Sequence, residues 1–146
     1  MKVCIVCSDG GRLTEILQII EAFEGHEFFF ITYNILGGRD LRKVYQLKIL
    51  KKNPLRYLSV IPAIVKILLK EKPDLIISNG AEVAIPTLYI AKLFGIKIIF
   101  IESWCRINKP STTGKLIYPI ADVFLVQWRQ LLKKYGKKAR YEGGIF

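Results

Sequence analysis

The sequence predicts an α/β fold: a Rossmann-like parallel sheet with helices on both faces. Three observations lead there. Apolar runs of strand length alternate with segments of helical period along the 146 residues. The strand-like runs are continuous in Ile, Val and Phe instead of alternating with polar residues, as strands covered on both faces require. Small, polar and charged residues collect after the carboxyl ends of these runs, where open parallel sheets bind ligands. At this length the chain is expected to form a single domain, residues 1–146.

Taken in order, "KVCIVCS" reads as the first strand. "LTEILQIIEAFE" reads as a helix with Leu13, Ile16, Leu17 and Ile20 on one face. "EFFFITY" is the second strand, and "KVYQLKIL" contains a shorter one. "NPLRYLSVIPAIVKILLKEK" opens on an Asn53-Pro54 helix start and stops before Pro73. "DLIIS" is a strand, "AEVAIPTLYIAKLF" a helix ended by Gly95, and "KIIFIE" a strand. "DVFLVQW" and "ARYEGG" complete the sheet, with the Lys-rich helix "RQLLKKYG" between them.

Composition narrows the class of partner. The chain is 51% hydrophobic with a formal net charge of +11, a mean hydropathy of +0.29 and a pI of about 9.7. That charge favours anionic partners. The strand-like run beginning at Lys2 predicts no signal peptide. The best candidate span, "LSVIPAIVKILL", is broken by Pro62 and Lys66 and falls short of the ~20 apolar residues a bilayer needs. A soluble or peripheral protein is expected. Cys4 and Cys7 form a CxxC, but three strand steps separate them by roughly 10 Å, too far for a disulfide. No second Cys/His pair completes a zinc site, so no metal is expected and both read as core thiols.

Four carboxyl ends define the expected site face: residues 8–12 (SDGGR), 78–82 (SNGAE), 102–106 (ESWCR) and 127–128 (QW). Gly10 and Gly11 allow close backbone approach at a helix start, where N–H groups and the helix dipole favour an anion. The loop is not GxGxxG, and no acid ends the second strand, so a dinucleotide site is not expected. "STTGK" departs from a phosphate loop at Lys109 and Leu116. His26 precedes the second strand, on the wrong side of the sheet, which disfavours a Ser-His-Asp or Cys-His centre. A general base would come from Asp9, Glu15, Glu82 or Glu102, with a structural ion pair between Glu102 and Arg106 as the alternative for Glu102. Basic residues gather at Arg39, Arg42, Lys43, Lys48, Lys51, Lys52 and Arg56, beside the apolar 54–71 helix. A second group is Lys133, Lys134, Lys137, Lys138 and Arg140. Such groups are either solvated faces or contacts to anionic lipid. No aromatic stacking strip supports nucleic acid.

The segments "GGRLTEIL", "NPL…KILLKEKPDLIISNGAEVAIP", "IESWCRINKPSTTGKLIYPIADVFLVQW" and the closing "GGIF" resemble the PssD subunit of bacterial exopolysaccharide glycosyltransferases. They are similar, too, to the lipid-side subunit of the two-part N-acetylglucosaminyl-diphosphodolichol transferase. The resemblance covers nearly the whole chain and is most specific from Ile101 to Trp128. It implies the N-terminal half of a GT-B glycosyltransferase, acting as the acceptor-binding, membrane-recruiting subunit of a two-component inverting enzyme. The UDP-sugar donor is then expected on a partner subunit, with no cofactor on this chain. The acceptor would be a polyprenyl-diphosphate-linked sugar at the cytoplasmic face of the membrane.

On this resemblance Gly10, Gly11 and Arg12 would bind the diphosphate, while Asn79, Gly80 and Glu82 would line the acceptor sugar. Arg106, Ser111, Thr112, Thr113 and Lys115 would shape the cleft, and Gln127, Trp128, Gly143 and Gly144 would meet the partner. Arg12 stands where the family commonly has His. It can bind diphosphate bidentately but cannot act as a base. The base then falls to Glu15, Asp9 or Glu102, or to a partner residue. The eukaryotic members carry an N-terminal anchor, whereas this chain opens on its first strand, so peripheral attachment through residues 39–71 is expected. The alternative is a non-catalytic adaptor that only recruits and stabilises the donor-binding subunit.

Overall fold

A computed structural model of the protein describes residues 2–7, 16, 25–32, 44–46, 54–80, 84–103 and 106–142. Seven strands run in the order β1 (Lys2–Val6), β2 (Glu27–Thr32), β3 (Val44–Gln46), β4 (Leu75–Ser78), β5 (Lys97–Ile101), β6 (Val123–Val126) and β7 (Ala139–Tyr141). They form one sheet of order β3-β2-β1-β4-β5-β6-β7, parallel at every pairing. The described helices are α1 (Pro54–Glu71), α2 (Ala84–Leu93), α3 (Thr112–Ile117) and α4 (Gln130–Tyr135).

Each strand sends successive side chains to opposite faces, and both faces are covered. Cys4, Val6, Phe29, Ile31, Phe100 and Phe124 pack under Val60, Ile64, Ile67 and Leu68 of α1 and Leu88 of α2. Val3, Ile5, Phe30, Ile77 and Ile101 form the second core with Ile16, the described residue of the first expected helix. Burying an Ile, Leu or Phe side chain contributes about 1.5–3 kcal/mol. The continuous apolar runs in the sequence are thus the price of a two-sided core. Cys4 belongs to one face and Cys7 to the other, both with no solvent exposure. That division explains why a CxxC along a strand brings no two thiols together.

α1 starts at Pro54, whose fixed φ suits a first helical turn and whose missing N–H is no loss there. It ends at Lys72, in the left-handed region with φ 48°, whose N–H returns to the Leu68 carbonyl at 2.9 Å. Pro73 then prevents any continuation. Glu71, buried at the helix end, accepts from the Tyr45 hydroxyl at 2.7 Å and pairs with Lys2 Nζ at 2.7 Å. This locks α1 to β1 and β3 at the amino edge of the sheet.

Two features position the site. All seven carboxyl ends face one edge because every strand is parallel. The strand order reverses between β1 and β4, and at such a switch point open parallel sheets bind their ligands. β1 and β4 are neighbours at this switch point, and β5 and β6 continue the sheet to one side.

Candidate functional site

At the end of β4, the Gly80 N–H donates to Ser78 Oγ at 3.1 Å, which turns the chain sharply. Gly80 holds φ 112°, a conformation that favours glycine over any residue with a Cβ. Asn79, between them, is fully buried. The polar loop foreseen after β4 is therefore built into the edge of the sheet next to the switch point. Glu82 lies outside the described residues, as do Asp9, Gly10, Gly11, Arg12, Glu15, Gly143 and Gly144.

The end of β5 holds the most organised polar group in the described chain. Glu102 is fully buried, and its carboxylate is surrounded by donors. Oε1 accepts from the Ser103 N–H at 3.0 Å and from the Ser111 hydroxyl at 2.8 Å. Oε2 accepts from the Ser111 N–H at 3.0 Å and from the Tyr135 hydroxyl. The backbone of Glu102 continues the frame: its N–H donates to the Leu125 carbonyl at 2.8 Å, and its carbonyl accepts from Gln127 Nε2 at 3.0 Å. A buried carboxylate is tolerated when donors of this kind replace its hydration.

The same hydroxyl of Ser111 accepts from the Gly114 N–H at 2.9 Å, so Ser111 is the N-cap of α3. Gly114 fits because it has no side chain. A Cβ there would lie 2.5 Å from Glu102 Oε2 and 2.9 Å from Ser111 Oγ, and would also collide with the Tyr135 hydroxyl. Tyr135 closes the group from the end of α4, its ring packed on Tyr118 and Phe124. Burial pushes the Tyr135 phenol well above its ordinary value, and the adjacent Glu102 carboxylate adds to the rise. Three elements, β5, α3 and α4, thus meet on one carboxylate, while β6 holds the backbone of the same residue.

This geometry gives Glu102 a positioning task. Every oxygen lone pair facing the chain is engaged, and no part of the residue reaches solvent. The Glu102–Arg106 ion pair weighed from sequence is not formed. Arg106 is exposed, and its N–H closes a turn on the Ser103 carbonyl at 3.0 Å. Ser111 is buried and spent within the fold, whereas Thr112 and Lys115 are exposed and Thr113 is half-buried. Gln127 is buried against Glu102, and Trp128 is half-buried beside it. Among the described residues, the exposed polar groups from Arg106 to Lys115 are Arg106, Asn108, Lys109, Thr112 and Lys115. Among the described residues no three His, Cys, Asp or Glu side chains are grouped as a metal ion would need.

Sequence reading missed three things here. The helical form of "STTGK" was not read: it is the first turn of a capped helix, for which Ser111 followed by Gly114 was the available signal. Gly114 itself carried no signal, and neither did Tyr135, which stands 33 residues from Glu102 in sequence.

Comparison with known proteins agrees with this architecture. A family model described as "Oligosaccharide biosynthesis protein Alg14 like" matches residues 32–145. UDP-N-acetylglucosamine transferase subunit ALG14 of Candida albicans is 42% identical over 80 residues, 51% of this chain and 36% of that protein. The chain thus covers little more than a third of that relative's length. The mouse protein of the same name is 25% identical over 181 residues, covering 99% of this chain and 83% of its own. Among solved structures, Acinetobacter baumannii MurG has the same fold with a TM-score of 0.77 at 16% identity, over 99% of this chain and 45% of MurG. UDP-GlcNAc 2-epimerase from Methanocaldococcus jannaschii gives 0.75 at 18% identity, over 99% and 46%. The sheet therefore corresponds to one Rossmann-like half of such longer chains. With the family model spanning most of its length, and with the β5–α3 segment built around one buried carboxylate, the chain belongs to the Alg14-like family of oligosaccharide biosynthesis proteins.

Proposed function

We propose that this chain is the acceptor-binding, membrane-recruiting subunit of a two-component, inverting UDP-sugar glycosyltransferase. Its acceptor is a polyprenyl-diphosphate-linked sugar at the cytoplasmic face of the membrane. The UDP-sugar is held by a separate donor-binding chain, and this subunit is inactive alone. The observation that carries the reading is the match of the entire fold to a little under half of longer chains, joined to membership of a family whose relatives are named as transferase subunits. A half of this kind has one open edge, and a second Rossmann-like chain facing that edge would complete a cleft.

In this reading Gly10, Gly11 and Arg12, which follow β1 in the sequence, hold the diphosphate. Asn79, Gly80 and Glu82 line the neighbouring wall toward the acceptor sugar. Arg106, Thr112, Thr113 and Lys115 face the cleft, and Trp128 with Gly143 and Gly144 meets the donor-binding chain. Glu102 holds that wall in place through Ser111 and Tyr135, so the base acting on the acceptor hydroxyl is Glu15 or Asp9, or a residue of the partner. One observation favours the adaptor alternative: Glu102, the carboxylate at the end of β5, is wholly buried.

The test is co-expression with a donor-binding chain, followed by transfer from UDP-N-acetylglucosamine to a polyprenyl-diphosphate-linked acceptor. Transfer should require both chains. Arg12→Ala should raise the acceptor KM, and Glu15→Gln or Asp9→Asn should lower kcat. Full turnover in both carboxylate variants, with the complex intact, would favour the adaptor.

A further inference from the structure

A helix covering a sheet needs one apolar stripe, and α1 has two. Val60, Ile64, Ile67 and Leu68 enter the core. Leu58, Pro62 and Leu69 are exposed on a second line, and Val65, half-buried against the core, stands between Pro62 and Leu69 on it. Leu58 is 63% and Leu69 57% exposed. Pro62 lies on this line in the helix interior. It offers no N–H to the Leu58 carbonyl one turn earlier, also on the outer line. α2 packs beside α1 and ends in Leu93, 84% exposed, and Phe94, 43% exposed. Between the two helix ends runs an open groove of about 370 Å³, lined by Leu68, Leu69, Lys72, Pro73, Phe94 and Ile96.

The charge around this surface has one sign. Lys66 and Lys70 flank the outer line, Lys72 lines the groove, and Lys97 follows Ile96; all four are exposed. The acids nearby are engaged elsewhere. Glu71 is buried on Lys2 and Tyr45, Asp74 accepts the Lys2 N–H at 2.9 Å, and Asp122 stands 3.5 Å from Lys92. Lysine is depleted from the cores of protein–protein interfaces, yet here it is interleaved with the apolar side chains. At a lipid interface the combination is favourable: leucines enter the acyl boundary while lysine stems extend to headgroup phosphates.

We propose that the outer face of α1 and the adjoining end of α2 form the surface by which this chain rests on an anionic bilayer. Leu58, Leu69, Leu93 and Phe94 enter the interface, and Lys66, Lys70, Lys72 and Lys97 meet its phosphates. α1 returns from the carboxyl edge of the sheet, where β3 ends, to the amino edge, where β4 begins. The Leu58 end of the line is therefore at the same edge as the candidate site, and the Leu69 end, with the groove and Leu93, is at the opposite edge. The proposal rests on the transferase-subunit reading only in giving the attachment a purpose.

The test is flotation of the purified full chain with vesicles of phosphatidylcholine mixed with phosphatidylglycerol, against phosphatidylcholine alone. The parent chain should float with the mixed vesicles, less so as salt rises. Each of Lys66→Gln, Lys70→Gln and Lys72→Gln should weaken binding about fivefold, the factor equivalent to ~1 kcal/mol. Leu58→Ser/Leu69→Ser/Leu93→Ser, at exposed positions, should weaken it at least about a hundredfold with an unchanged melting temperature. Failure of the parent to float with mixed vesicles overturns the proposal, as does parent-like flotation of both variant sets. Loss of the partner chain from the triple-Leu variant with vesicle binding intact assigns the face to a protein and overturns it too. With detergent-dispersed acceptor, the co-expressed pair should keep its transfer activity in the triple-Leu variant. Absence of transfer in every preparation, parent included, strikes at the transferase reading alone, since flotation of the single chain decides the surface independently.

Discussion

Replacing Glu102 by Gln keeps the side chain's shape and removes its charge, and the structure dictates a large effect. Each carboxylate oxygen faces one backbone N–H that cannot turn away: Ser103 on Oε1 and Ser111 on Oε2, both at 3.0 Å. Whichever way the new amide is placed, its NH₂ points at one of them. The hydroxyls of Ser111 and Tyr135 can rotate to accept, but a backbone N–H cannot. One buried donor is left facing another donor, and the remaining hydrogen bonds lose their charge assistance. A hydrogen bond to a charged group contributes ~1.5–3 kcal/mol, so Glu102→Gln should destabilise the chain by ~2–4 kcal/mol. Against a typical total of ~5–15 kcal/mol this is severe. For a domain of this size it corresponds to a fall of about 10 °C in melting temperature. Urea unfolding of the purified chain, followed by circular dichroism, measures it directly. Tyr135→Phe, which removes one of four donors and leaves both backbone N–H groups satisfied, should cost ~1 kcal/mol. A Glu102→Gln chain within ~0.5 kcal/mol of the parent would refute the reasoning, because a carboxylate holding this frame together cannot be dispensable.

Three further outcomes follow from the same geometry. Gly114→Ala should destabilise by ~2–4 kcal/mol in thermal melts, since the added methyl group displaces Glu102, Ser111 and Tyr135 together; in a Tyr135→Phe background the penalty should shrink, giving a coupling measurable by a double-mutant cycle. The raised Tyr135 phenol makes stability depend on alkaline pH: the folded chain holds that proton more tightly than the unfolded chain, so its contribution is complete below about pH 10 and is lost as pH rises above it. Alkaline melts of the parent should show this decline, and Tyr135→Phe should flatten it. Cys4 and Cys7, both without solvent exposure, should resist an aromatic disulfide reagent in a folded Cys105→Ser chain and react once it is unfolded, the Cys4 thiol being pushed up mainly by burial and further by Cys7 and Glu71.

The strands were readable because a strand buried on both faces has little freedom in composition. "KVCIVC", "EFFFIT", "DLIIS", "KIIFI" and "VFLV" each appear where an uninterrupted apolar run predicted them. Even the brief "VYQ" was legible as the shorter strand inside "KVYQLKIL". α1 was legible at both ends, because Pro54 and Pro73 constrain the backbone locally whatever the rest of the chain does. The role of Glu102 was not. From sequence it was a carboxylate at a strand end beside polar residues, a pattern shared by catalytic acids and by structural ones.

What the sequence determined by itself is what depends on near neighbours: element type, parallel pairing, and the edge of the sheet on which polar residues collect. What only the tertiary structure decided is which of those residues face inward. Ser111 and Tyr135 reach Glu102 across 9 and 33 residues, and Gln127 across 25. Those distances are closed by strand order and helix packing, which no local pattern encodes. Hydrogen bonding acts through space, so an acid whose local pattern fits either role is found, in the folded chain, surrounded by donors from residues far along the sequence.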